Sequence, residues 1–137
     1  MNADEFKNIV GAFIDIYQEL YPIGTVVDLD KKYFRKIYDI DEIDNIRVVI
    51  SHRFVPYNKN IFIPYMGMHY PFDPLGVEND GVHFTPRVIK NVVHMGYRDE
   101  KETAYLFKIK EKLIVENNMK SSEMMMDRNI LDKILQK

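Results

Sequence analysis

The side chains that could do chemistry in this chain are four histidines and 21 carboxylates, with no cysteine among them. The missing cysteine removes disulfides, thiolate metal sites and cysteine nucleophiles together. His52, His69, His83 and His94 show no HxH, HxxxH or HExxH spacing, so no single helix or strand offers a metal a ligand pair. Convergence of His69, Asp73 and His83 through loops is the route to a metal site that remains, since a fold can join distant residues. Surface and capping roles explain the same residues more simply. No GxGxxG, GxxxxGK[ST] or GxSxG occurs, which leaves phosphate cradles and the nucleophile elbow without support. The acidic series Asp28, Asp30, Asp39, Asp41, Glu42 and Asp44 lacks the glycine and terminal glutamate of a calcium loop and reads as a solvated charged segment. No catalytic residue, metal or cofactor is expected, and a small metal-dependent hydrolase is the least favoured reading.

Two stretches are better suited to contact than to catalysis. Phe62 to Phe72 packs Tyr, Phe, Met and Pro closely together; such side chains bury large areas at small entropic cost. The competing reading is closure of the core, because a chain this short needs most of its aromatics inside. Tyr65, His69, Tyr70 and Phe72 are its candidate contact residues. The second stretch is Met124-Met125-Met126 followed by Ile130, Leu131, Ile134 and Leu135. At helical spacing Met126, Ile130 and Ile134 form an apolar stripe, flanked by Leu131, Leu135 and Met124, and methionine suits surfaces that must accommodate another protein. A homodimer is a further use of such a stripe.

The elements that must hold these residues follow from periodicity. Phe6, Ile9, Val10, Phe13, Ile14, Tyr17 and Leu20 recur at three and four residues, predicting an amphipathic helix from Asp4 to Leu20 that Pro22 stops. Thr25 to Leu29 reads as a strand. Asp30 to Asn45 reads as a long loop or short helix. Ile46 to Val55 and Ile61 to Met68, separated by turn residues, predict an antiparallel hairpin. Gly67 to Val82 holds too many breakers for a regular element. Thr85-Pro86 opens a short helix to Lys90, Val92 to Tyr97 reads as strand, and Asp99 to Asn118 as a second helix. Ser121 or Ser122 caps a last helix. The expectation is α+β: an N-terminal amphipathic helix, a small antiparallel sheet of about four strands, and C-terminal helices packed on one face. Residues 1–118 form one domain and 119–137 a C-terminal amphipathic helical extension.

Composition bounds the partners. The 137 residues include 19 Lys and Arg against 21 Asp and Glu, a net charge of -2, which is not the footprint of a non-specific nucleic-acid binder. Apolar residues make up 46%, enough for a core, yet no window supplies the ~20 apolar residues of a membrane helix. With no signal-like start, a cytoplasmic location without membrane insertion is expected.

Three segments, in order, carry a resemblance: LYPIGTVVDL; the pair VVISHRFV and FIPYMGMHYPFDPLG; and HFTPRVIKNVVHMGYRDEKETAYL. Together they resemble a small bacterial family known mainly as a domain of unknown function encoded beside LXG toxins in type VII secretion loci of Gram-positive bacteria. The likeness spans about Leu20 to Leu106. The segment 30–45 is longer than the family's usual first turn, and the chain after Asn118 falls outside the likeness. The resemblance implies a non-enzymatic accessory protein, a chaperone or targeting factor for a cognate LXG toxin or another protein of the secretion locus. An immunity protein that neutralises the toxin domain is the alternative.

Overall fold

The computed structural model describes residues 2, 3, 5, 6, 10, 15, 18–34, 45–71 and 81–122. The helix expected over 4–20 and the one expected after Ser121 lie for the most part outside these residues.

The centre is one sheet. Strand β1 (Val26–Leu29) pairs antiparallel with β2 (Ile46–Pro56), and β2 with β3 (Ile61–His69), confirming the hairpin expected there. Two short strands share the far edge of β3: β4 (Val82–Phe84) runs antiparallel against Tyr65–Gly67, while β6 (Lys120–Ser121) runs parallel against Ile61–Phe62. Strand β5 (Ile89–His94) lies on the other side of β1, giving the order β4-β3-β2-β1-β5 with β6 beside β3. Among the described residues six strands take the place of the four expected. The additions are too short to show a periodicity: β4 has three residues, beginning at the last residue of the expected loop, and β6 has two.

Two local expectations are corrected by backbone chemistry. The short helix after Thr85-Pro86 is a single 3-10 turn, Pro86–Val88, and the chain becomes extended at Ile89, earlier than Val92. The closing helix α1 (Glu100–Lys110) starts where expected, with Asp99 Oδ1 accepting from Glu102 N at 2.8 Å, then widens into a π-helical turn, Glu111–Glu116. Asn118 ends it in the left-handed region (φ 54°), and Met119 N donates to Leu113 O at 2.9 Å.

Proline organises the middle of the sheet. The register Arg53↔Tyr65 and Val55↔Ile63 sets Phe54 opposite Pro64, which has no N–H for the ladder. Phe54 there takes φ 55°, a conformation a bulky residue rarely adopts. On its other edge Pro64 falls in the gap between β6 and β4. Burial along β3 changes phase at the same place, from Phe62 and Pro64 to Tyr65 and Gly67. Phe54 consequently packs against both apolar clusters: a main core including Val27, Leu29, Val48, Ile50, Tyr65 and Phe84, and a smaller one of Phe62, Ile114 and Met119.

Helix α1 meets the main core through Leu106. The residues one turn to either side are charged. Glu102 forms an ion pair with Arg53 of β2, whose side chain is almost wholly buried, and Arg98 Nε stands 4.0 Å from the same carboxylate. Lys110 is buried and donates to Gln18 O. Burial holds the Lys110 amine below its ordinary range, against the opposing pull of Asp15 and Glu19. Asp15 in turn accepts from Ser121 N at 2.8 Å, so the chain immediately after Asn118 is fastened to the domain.

Candidate binding surface

An open, apolar groove of about 330 Å³ lies beside the β3–β4 edge. Local turn chemistry places each wall. Asp30 starts a 3-10 turn, Lys31–Phe34, by accepting from Lys32 N through its side chain (3.1 Å) and from Tyr33 N through its carbonyl (3.2 Å). Asp30 N donates to Val88 O at 2.8 Å, which locks this turn onto the Pro86–Val88 turn. Tyr33, Phe34 and Val88 thereby face the groove. The third wall comes from the β2–β3 turn, where Asn58 Oδ1 accepts from Asn60 N (2.8 Å) and Ile61 N (2.9 Å) and so positions Tyr57 and Ile61. His83 and Ser122 supply polar groups at the lining. A groove of this size and lining has room for a few large apolar side chains.

A second cluster lies on the β1–β2–β5 surface, opposite the main core. Asp28, only 5% exposed, is clasped by Arg47 through Nε (2.8 Å) and a second guanidinium N–H (3.1 Å), and accepts from Asn91 Nδ2 at 3.1 Å. The strand register explains the group, since Asp28 faces Arg47 on β2 and Asn91 on β5. The Arg47 hydrogen bonds hold the Asp28 carboxyl below its ordinary range although burial pushes the other way, and Asn91 adds to the lowering. A carboxylate committed to a bidentate pair is a poor base; its chemistry here is to join three strands.

The residues singled out from sequence are dispersed. Tyr65 is fully buried, stacked between Tyr21 and Phe84, with its hydroxyl accepting from Tyr21 N at 2.8 Å. This corrects the expectation that it faces a partner: alternation along β3 changes phase at Pro64 and turns Tyr65 inward. His69 is half-buried opposite Val48, and Tyr70 is exposed just past the strand. Phe72, Met124, Met126, Ile130, Leu131, Ile134 and Leu135 lie outside the described residues, as does Asp73. His52 and His94 are exposed on β2 and β5, the former with Ser51 Oγ at 2.9 Å from Nδ1. Among the described residues no group of three or more His, Asp or Glu side chains is arranged to hold a metal, and no helix is long and apolar enough to cross a membrane.

Sequence reasoning missed the groove. Its walls come from three separate turns, and only the β2–β3 turn and the Thr85-Pro86 start left a signal. The Asp28–Arg47–Asn91 cluster was equally hidden, since it needs the register of three strands.

No curated protein and no solved structure is similar enough to the chain to count as a match. Residues 20–105, which include β1 to β5 and the first turns of α1, match the model of the family described as Domain of unknown function (DUF4176). With more than half its length matched, the chain belongs to the DUF4176 family.

Proposed function

We propose that this protein is a non-enzymatic cytoplasmic accessory factor that binds a cognate LXG-type toxin, as a chaperone or targeting factor, for type VII secretion in Gram-positive bacteria. The observation that carries the reading is the open apolar groove walled by Tyr33, Phe34, Tyr57, Ile61 and Val88. Anchor side chains of another polypeptide fill such grooves, and a few large apolar anchors dominate the affinity of protein interfaces. The three segments resembling proteins encoded beside LXG toxins give the partner its class. Co-expression of the chain with the toxin from the same locus tests this by co-purification. A stable complex that raises the toxin's soluble yield is expected. Absence of a complex, or a complex that only suppresses killing by the isolated toxic domain, refutes the chaperone role, the second outcome assigning immunity instead.

A further inference from the structure

The last described residue stands at the groove. Strand β6 runs parallel to β3, with Lys120 opposite Ile61 and Ser121 opposite Phe62, and the next residue, Ser122, has helical backbone and lines the groove. It cannot follow the same edge much further, because Tyr65 is already paired there with Phe84 of β4. The chain therefore leaves the sheet where Ile61, Ile63, Phe84 and Thr85 bound the groove. Its root is fixed: Lys120 N donates to Asn60 O and Ser121 N to Asp15 Oδ2, each at 2.8 Å. Fifteen residues, 123–137, follow, and seven of them are Met, Ile or Leu. A helix of that length is marginal alone in water and needs a surface for its apolar side.

We propose that residues 123–137 fold back into the groove of their own chain, Met125 and Met126 entering first and Ile130 next, so that the groove stays occupied until a partner displaces this tail. On a helix opened by Ser122, Met125 and Met126 stand at i+3 and i+4 and stack beside it one turn on, and Ile130 follows Met126 by four. The walls suit them. Tyr33, Phe34, Tyr57 and Phe84 are aromatic, and methionine sulfur packs favourably against aromatic rings while its flexible chain fills irregular space. Tethering decides between occupants: a segment rooted beside the groove meets it at an effective concentration on the order of mM, so a second copy or a free apolar segment of equal intrinsic affinity loses to it at lower concentrations. Docking of the tail stands apart from the toxin; its displacement rests on the reading of this groove as the toxin-binding surface.

NMR of the full chain with isotope-labelled Met, Ile and Val methyl groups reads the docking. A nuclear Overhauser effect is expected from the methyl of Met125 or Met126 to those of Ile61, Ile63 or Val88. Mixing Met-labelled chains with Ile- and Val-labelled chains should remove it, because the two groups then sit on different molecules. Met126→Glu with Ile130→Glu should abolish the effect and move the Ile61, Ile63 and Val88 resonances while unfolding stays cooperative; Tyr57→Glu, at an exposed wall position, is the independent variant from the groove side. An effect absent from the uniformly labelled chain, or persisting in the mixed sample, overturns the inference, the second result assigning the groove to the tail of another copy. The Met126→Glu, Ile130→Glu chain should bind the toxin at least about tenfold more tightly than wild type, since an occupied site lowers apparent affinity by the fraction that is open. Equal affinity overturns the displacement, and weaker binding assigns the apolar stripe to the toxin instead. Toxin bound by neither chain refutes the toxin reading and leaves the docked tail, measured without toxin, standing.

Discussion

Replacing Tyr65 by Phe separates a core role from a surface role at one atom. The ring stacks with Phe84 at a centroid distance of 5.2 Å and with Tyr21 at 6.4 Å, and Phe preserves both contacts. What disappears is the hydroxyl oxygen that accepts from Tyr21 N at 2.8 Å. Tyr65 is fully buried, so water does not readily take the place of that acceptor. Stranding a buried donor costs about 1–3 kcal/mol, which for a chain of this length lowers the melting temperature by roughly 3–10 °C. Tyr65→Ala removes the ring as well and should cost about 3–5 kcal/mol. Equilibrium urea unfolding at neutral pH reads both variants; a lower midpoint with unchanged slope is expected. Partner binding by Tyr65→Phe should match wild type where both are folded. Stability within about 0.5 kcal/mol of wild type combined with lost binding would refute the placement of Tyr65 in the core.

Gly67→Ala should destabilise by about 1–3 kcal/mol, because a Cβ there would stand 3.0 Å from Val48 Cγ2 and 3.1 Å from Phe84 Cε1, overpacking the sheet's core face; chemical denaturation measures it. Gly96→Ala should be worse tolerated, since its Cβ would come 2.7 Å from the carbonyl oxygen of Ile23 and 2.8 Å from Thr25 N, backbone atoms that cannot rotate away; soluble yield and melting temperature read the loss. Asp28 makes stability acid-sensitive: its folded carboxyl titrates below the ordinary value of 3.8, so the stabilisation is fully present above that value and lost as pH falls through the lower folded one. Asp28→Asn should therefore be less stable than wild type at neutral pH and flatten the acid limb of an unfolding-midpoint profile, whereas an unchanged acid limb would show that other carboxylates govern it.

What was legible in the sequence follows from how local its causes are. The β2–β3 hairpin is written in β-branched runs flanking Pro56 to Asn60, and the α1 start in Asp99 followed by acidic residues, so each could be read in place. Strand β6 is visible only once Asp15 accepts from Ser121 N and Lys120 meets Ile61, contacts across most of the chain. Tyr65 misled for a related reason: its stretch has the composition of a recognition surface, and the inward turn depends on Pro64 meeting Phe54 across the hairpin. The groove belongs to the same class, because Asp30 N bonding Val88 O is what joins two of its walls.

Export of the toxin tests the accessory role most directly. The gene is deleted in its host, and the LXG toxin from the same locus is quantified in culture supernatant and in cells, with complementation by the wild-type gene. The account predicts that toxin disappears from the supernatant on deletion and returns with the wild-type gene. Undiminished toxin in the supernatant of the deletion strain would contradict it.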